Sequence, residues 1–410
     1  TQQAPAASGR VRFSHAGLWG LARTCREEVP TLKVSCVDLD PLGLCGAPLL
    51  ASLIRTAVLK VPEGSVHGLR TSASSEGEVA LRGDGLFVPR LVADNLEAPL
   101  RVDFDGLRSV CDAFLADKVK DFDEKALMDE AMAMEALCQQ YIADAVKDTR
   151  GEQVVKWHHK LLFAWCKEQA GPAKSVTLDQ VVSEFGRGPE VKLAERCGPS
   201  LRDVFVGTAA YQELLFPGGS MDMVLPVYES SIAGVFYNEC VVAAVGAIVS
   251  QLPAGRKLHI VEVGAGTGGT ASTVTPIVSK ACAEYMFTDV SEIFLMQAQQ
   301  RFAEYDFMRY ELLNIDADVR LQGFAAGSYD VGIATNVLHA TPCMRNTMRN
   351  CRALLRPGGL MVVNEVVRTN AFAQITFGLT DGWWFFASDP GRRNEISPLM
   401  AWETWVRLFA

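Results

Sequence analysis

The pattern of apolar positions changes twice along the chain. Through the first 95 residues, short alternating runs recur: Leu32–Leu39, Glu78–Arg82 and Leu86–Leu91. Alternation with period two is the mark of a half-buried strand. Gly83-Asp84-Gly85 between the last two predicts a hairpin. Leu18–Glu28 (ended by Pro30) and Leu49–Leu59 keep helical spacing. From Asp103 to about Leu225 the rhythm is helical throughout, first in Leu107, Val110, Cys111, Phe114 and Leu115. It continues in Leu127, Met128, Met132, Cys138, Tyr141, Ile142 and Val146, and again from Val155 to Leu162. Adjacent His158 and His159 should point to different sides of that last helix, and so could not chelate one metal. From Val227 strands alternate with helices. Strands are expected at Lys257–Val263, Tyr285–Asp289, Tyr329–Ala334 and Leu360–Glu365. Helices are expected at Asn238–Ser250, Ser272–Ala281, Ile293–Tyr305 and Thr347–Leu355. Such alternation predicts an α/β fold with a parallel, doubly wound sheet.

Composition narrows the class. A chain of 410 residues with 49% hydrophobic and 21% charged positions can build real cores, in two or three compact units. The net charge is −9, while residues 1–100 carry ten charges of each sign, so the acidity lies in the remainder. No basic stripe exists, and no nucleic-acid partner is expected. Aliphatic runs such as Val241–Val249 fall short of the ~20 residues that cross a bilayer, so no membrane association is expected. The stretch from Thr1 has no apolar signal core, which points to a cytoplasmic protein without a targeting segment. The 11 cysteines stand singly with no C-x-x-C pair, as reduced and mostly buried thiols would, and no metal site is expected.

The strongest chemical signal is Val261-Glu262-Val263-Gly264-Ala265-Gly266-Thr267-Gly268-Gly269, directly after a buried strand. Glycines there let the backbone turn sharply and approach a ligand. Gly264, Gly266 and Gly269 satisfy the dinucleotide fingerprint; Gly264, Gly266 and Gly268 satisfy that of S-adenosylmethionine enzymes. Asp289 ends the next strand, where a carboxylate takes the ribose hydroxyls of either ligand. Glu262 favours a ligand with a cationic amino-acid end over a pyrophosphate, and no hydride-transfer set follows. His339 stands just beyond a strand end and Glu365 at another, both opening on one crevice. An imidazole there can accept a proton at neutral pH, and a carboxylate on its second nitrogen would fix the tautomer.

Two resemblances sharpen this reading. Gly17–Arg23, Glu28-Val29-Pro30, Val37–Asp40, Glu78–Arg82 and Val88–Leu91 resemble the structural half of a polyketide-synthase ketoreductase. That implies a small, truncated Rossmann-like α/β subdomain over residues 1–98 that is non-catalytic and binds no nucleotide. Glu262–Gly269, Phe287–Ser291, Asn336–Thr341, Arg356–Gly359 and Gly378–Trp384 resemble the carbon-methyltransferase domain of polyketide synthases. Leu215–Ser220 and Tyr228–Ser231…Asn238 fit the same family. This implies a class I methyltransferase core, Rossmann-like and doubly wound, over residues 226–410, with an N-terminal helical lid over 103–225.

The resemblance implies S-adenosylmethionine as cofactor, held by Glu262, Gly264, Gly266, Gly268, Asp289, Asn314 and Asn336. At Asn314 the family usually has an Asp that accepts the adenine amino group; Asn accepts through its carbonyl oxygen, without charge. His339 and Glu365 would be the catalytic dyad, acting on the α-carbon of a β-ketoacyl thioester. That chain would ride on the phosphopantetheine arm of an acyl carrier protein, among other domains of one synthase. Tyr228 and Asn238 would line the substrate side, and Trp383 and Trp384 would wall the acyl channel, with plain core packing an equal alternative for one of the two. Class I methyltransferases normally add a final pair of strands where this chain stops at Trp405–Ala410, so either those strands are missing or other residues complete the sheet, and an incomplete sheet would have an exposed edge. Methylation of an oxygen, a degenerate structural methyltransferase domain and an NAD(P) reductase stay open as alternatives.

Overall fold

The computed structural model describes residues 100–120, 123–170, 176–393 and 395–409, together with three strand backbones nearer the N-terminus. The chain divides into two compact units, Thr1–Glu97 and Ala98–Ala410. In the first, β1 (Cys36–Asp38) pairs in parallel with β2 (Glu78–Arg82), which turns into antiparallel β3 (Gly85–Phe87). The register pairs Arg82 with Gly85, in keeping with the hairpin expected between these two strands. The helices expected at Leu18–Glu28 and Leu49–Leu59 lie outside the described residues.

The second unit opens on α1 (Phe104–Lys120) and α2 (Glu124–Lys147, capped by the Asp123 side chain). Shorter helices follow: α3 (Trp157–Gln169), α4 (Leu178–Phe185), α5 (Pro189–Cys197), α6 (Leu201–Val206), α7 (Tyr211–Leu215) and α8 (Leu225–Glu229). Helix α9 (Ile232–Ser250) begins six residues earlier than the apolar spacing suggests, because the Ser231 hydroxyl accepts from Gly234 N–H and caps it. At 19 residues and mean hydropathy 1.9, α9 is long and apolar enough to cross a membrane by length and composition. It packs instead on α1 and on the helix after the glycine loop.

The sheet is built from β4 (Leu258–Val263), α10 (Gly269–Val278), β5 (Cys282–Asp289), α11 (Glu292–Arg301), β6 (Met308–Leu312), β7 (Tyr329–Thr335), α12 (Met344–Leu354) and β8 (Leu355–Asn364). All pairings are parallel and the order is β6-β5-β4-β7-β8. The chain fills one side of β4 and then returns to the other, so the topological switch lies between β4 and β7. Open α/β sheets place their ligand crevice at that point, beyond the strand C-termini. Strand β6 was not among the expected strands: it is five residues long, at the edge, with Arg309 and Glu311 at alternate positions. β8 starts five residues earlier than expected, because its strand pairing takes in the Arg356-Pro357-Gly358-Gly359 turn.

The helical layer has its own core, and its boundaries differ from 103–225. Leu137, Ile142, Leu162, Leu193 and Phe205 pack with Ala371, Leu379, Trp384 and Phe386 from the segment after β8. That segment contains α13 (Ala371–Ile375) and a 3₁₀ run, Gly382–Ser388, before the final helix α14 (Trp402–Phe409). Helix α1 buries no residue fully and lies on α9 instead, joined by Lys118–Glu239 at 2.8 Å and by Asp103 N–H to Gln251 Oε1 at 2.7 Å. The residues that cover the sheet's C-terminal edge thus come from both ends of the unit.

His158 and His159 correct another expectation. Both rings are buried, with centroids 4.2 Å apart, against Tyr211. Successive helical residues differ by only about 100°, and α3 is covered on more than one side, so both face inward. His159 Nε2 meets the Leu379 carbonyl at 3.0 Å, and burial pushes this imidazole down to about 4.

Candidate active site

The loop after β4 turns on three glycines with φ of +60° (Gly264), +54° (Gly266) and +80° (Gly268). At Gly264 a Cβ would lie 2.1 Å from Val337 Cγ2, so the β4 loop and the segment after β7 touch here with no room for a side chain. At Gly266 the nearest atom would be 3.9 Å away, which leaves an open cradle above the turn. Gly268 sits under the Phe302 ring.

Two buried carboxylates flank the loop. Glu262 is 1% exposed and accepts from the Tyr285 hydroxyl at 2.7 Å. Burial, partly offset by that hydrogen bond and reinforced by Asp289, pushes its carboxyl up to about 8. Asp289 Oδ2 accepts from Gly266 N–H (3.0 Å) and Oδ1 from Ser291 N–H (2.9 Å), which ties the glycine turn to the end of β5. Burial raises its carboxyl as well. An open backbone cradle between two acidic side chains suits an organic cation bearing a diol better than a pyrophosphate dianion.

Across the switch point, Asn336 follows β7 with φ of +52°, the one non-glycine residue among the described residues with positive φ. This corner is locked by Asn336 N–H to the Asn364 carbonyl (2.8 Å) and by Val366 N–H to Asn336 Oδ1 (3.1 Å). It launches a single 3₁₀ turn, Leu338–Ala340, that carries His339. Glu365 stands just beyond β8. Its Oε1 accepts from Val337 N–H (3.1 Å) and Leu338 N–H (2.7 Å), and its Oε2 meets His339 Nδ1 at 2.5 Å. Both side chains are under 7% exposed. With all three donors aimed at it, the carboxylate is fixed as acceptor, Nδ1 carries its proton, and Nε2 keeps the lone pair.

The remaining expected residues divide into two groups. Trp383 belongs at the dyad: its ring stands edge-on to His339 at 5.5 Å, anchored by Nε1–H to Gln374 Oε1 (3.2 Å). Burial, reinforced by the Glu365 charge, raises the Tyr228 hydroxyl well above the usual phenol range. Phe377 packs against its ring at 5.6 Å. Trp384 belongs to the helical core, donating to the Gly378 carbonyl at 2.8 Å. Asn238 is a brace: it donates to the Tyr228 carbonyl (2.9 Å) and accepts from Thr270 Oγ1 (3.1 Å). Asn336 forms the corner after β7 and is half-buried, with its Oδ1 engaged by Val366 N–H. Asn314 lies exposed after β6, with its Oδ1 already accepting from Asp316 N–H at 3.0 Å.

Sequence reasoning missed Arg392. Buried at 5% exposure, it donates to the carbonyls of His339 (2.8 Å) and Thr341 (2.5 Å) and pairs with Asp389 at 3.0 Å. A guanidinium thus props the turn that carries His339 from behind. Its only sequence signal is Asp389-Pro390-Gly391-Arg392, which reads as an ordinary turn. Among the described residues no group of three or more His, Cys, Asp or Glu side chains could hold a metal.

Residues 261–361 match the family described as "Methyltransferase domain". Among curated proteins, the chain is 37% identical over 237 residues to polyketide synthase ThaQ of Burkholderia thailandensis, covering 56% of this chain and 11% of that protein. It is 35% identical over 223 residues to polyketide synthase PksR of Bacillus subtilis, covering 52% and 9%. The matched stretch is about a tenth of the length of these relatives or less. Among solved structures, the CurJ carbon methyltransferase superposes with a TM-score of 0.68 at 26% identity, over 74% of this chain and 90% of that one. The trans-methyltransferase CalH, in complex with SAH, gives a TM-score of 0.58 at 25% identity, over 70% and 84%.

Proposed function

We infer that this chain, an S-adenosylmethionine-dependent methyltransferase of the carbon-methyltransferase kind built into polyketide synthases, methylates the α-carbon of a β-ketoacyl thioester. The observation that carries this reading is the buried His339–Glu365 pair, held at 2.5 Å on the same sheet edge as the glycine cradle. Carbon is not nucleophilic until it loses a proton, so the reaction needs a base beside the methyl donor. His339 Nε2 takes the α-proton and the electron pair moves into the enolate. Glu365 balances the imidazolium that forms, and its two backbone hydrogen bonds keep it from turning away. S-adenosylmethionine, when bound, supplies an electrophilic methyl on a sulfonium. Glu262 would take its amino-acid end, Asp289 its ribose hydroxyls, and the backbone at Gly264, Gly266 and Gly268 its close approach. Trp383 walls the imidazole off from water, which strengthens the pair.

The acyl chain would arrive on the phosphopantetheine arm of an acyl carrier protein within a larger cytoplasmic synthase, with residues 1–98 as the structural half of a ketoreductase. One observation favours a rival reading, a domain that kept the fold and lost the chemistry: the engaged Oδ1 of Asn314. Two measurements decide. Calorimetric titration should show adenosylhomocysteine binding that a Gly266→Asp variant loses, and no binding of NADPH. The wild-type chain should also wash deuterium into the α-position of a β-ketoacyl thioester, and His339→Gln should not. A chain that binds neither ligand and exchanges no proton would be a scaffold.

A further inference from the structure

The face of α11 that looks toward the helical layer is spaced i, i+3, i+7: Phe294, Gln297 and Arg301. Phe294 packs on Phe216 at 6.2 Å, Gln297 Nε2 reaches the Gly219 carbonyl at 3.5 Å, and Arg301 reaches Glu229. The last contact is the most connected of the three. One guanidinium nitrogen donates to Glu229 Oε1 at 2.5 Å, and the other donates to the carbonyl of Thr267, inside the glycine loop, at 3.0 Å. The same Glu229 oxygen accepts from Ser272 Oγ of α10 at 3.2 Å. Glu229 is thus the point where α8, α10, α11 and the glycine loop meet.

Its neighbours make this consequential. Tyr228, the preceding residue, packs its ring on Phe377 at 5.6 Å, in the segment that carries Trp383 against His339. Gly269 lets α8 approach so closely that a Cβ there would lie 3.3 Å from both Tyr228 Cβ and Glu229 Cγ. One short helix therefore touches the glycine loop through Glu229 and the segment after β8 through Tyr228. A guanidinium fork is suited to such a bridge, because its two N–H directions are rigidly related.

We propose that Glu229 and Arg301 are positioning residues that clasp α8 onto the glycine loop, so that occupancy of the cofactor cradle is transmitted to the placement of Tyr228 and of the Phe377 segment it packs on. The clasp rests on the cofactor reading above. A ligand in the cradle stiffens the turn that carries the Thr267 carbonyl. Arg301, already bonded to it, then holds Glu229 and with it α8. Without the clasp the cradle still exists, but its filling no longer orders the substrate side.

The test is amide hydrogen exchange over residues 225–236, with and without saturating adenosylhomocysteine, in the wild-type chain and in Arg301→Met, Arg301→Lys and Glu229→Gln. In the wild type the ligand should slow exchange there. Arg301→Met and Glu229→Gln should abolish that slowing and raise the Kd about tenfold, while the β4, β5 and β7 amides keep their protection. Arg301→Lys keeps the charge without the fork and should fall between. If Arg301→Met also loosens the sheet, Arg301→Lys decides, since it must keep the sheet and lose part of the coupling. Variants that bind and slow exchange like the wild type would overturn the clasp alone. A wild-type chain that does not bind adenosylhomocysteine would overturn the cofactor reading beneath it.

Discussion

Replacing Glu365 by Gln separates the chemistry of the dyad from its architecture. The carboxylate accepts three hydrogen bonds, two from backbone N–H groups of residues 337 and 338 and one from His339 Nδ1. A glutamine can keep its carbonyl oxygen toward the two N–H groups, which preserves the turn. Its amide nitrogen then meets Nδ1 as a donor, so Nδ1 must accept and the proton moves to Nε2. The lone pair that should take the substrate proton is gone, and no carboxylate remains to balance an imidazolium. Loss of a positioned base costs 10²–10⁴-fold, and a wrong tautomer in a comparable His–carboxylate pair costs about 10⁴. We therefore expect Glu365→Gln to lower kcat by about 10³-fold with adenosylhomocysteine affinity little changed. Glu365→Ala should match that loss and also destabilise the fold by about 2 kcal/mol or more, because two buried N–H groups lose their acceptor. The assay pairs methylation rate with α-deuterium exchange in the absence of the methyl donor, and both should fall together. A Glu365→Gln chain that methylates within fivefold of the wild-type rate would refute the base assignment.

Other positions give independent checks. Glu262 titrates near 8 in the folded chain against an ordinary value of 4.5, so its contribution to stability is full below about 4.5 and is lost as pH rises through about 8. If it meets the ammonium end of the ligand it must ionise, so adenosylhomocysteine binding at pH 7 should release close to one proton, seen by calorimetry in buffers of different ionisation enthalpy; Glu262→Gln should erase the release. Gly264→Ala places a Cβ 2.1 Å from Val337 on top of the cost of its positive φ, so it should lower the denaturation midpoint and abolish activity. Gly266→Ala meets nothing nearer than 3.9 Å, so circular dichroism should show a near-normal fold while calorimetry shows weakened ligand binding. Arg392→Met strands a partly buried Asp389 and unties the His339 carbonyl, and should cost about 3 kcal/mol in urea unfolding.

The parts of this site that sequence made legible are those with a local signature. Glycines after an apolar strand, an acid at the next strand end, and a His and a Glu beyond two further strands could each be placed by the alternation of strand and helix. What could not be read were contacts between distant segments. Asn238 looked like a pocket group and is a brace, because only the fold brings the Tyr228 carbonyl and Thr270 to its amide. Trp383 and Trp384 are adjacent in sequence and both pack in the helical core, yet only Trp383 also stands edge-on to the imidazole, an arrangement made by a 3₁₀ turn that periodicity does not encode. Residues 371–399 joined a layer expected to end near 225, since an apolar stretch does not say which core it enters. Strand β6 was missed because an edge strand tolerates charges on its open face.

The methylated product itself reports which atom received the methyl group. The wild-type chain, supplied with S-adenosylmethionine carrying a ¹³C-labelled methyl group and a β-ketoacyl thioester, should yield one new ¹³C-methyl resonance coupled to the α-carbon, and His339→Gln should yield none. A labelled methyl found on oxygen, or a substrate recovered unlabelled from a chain that binds the cofactor, would contradict the account.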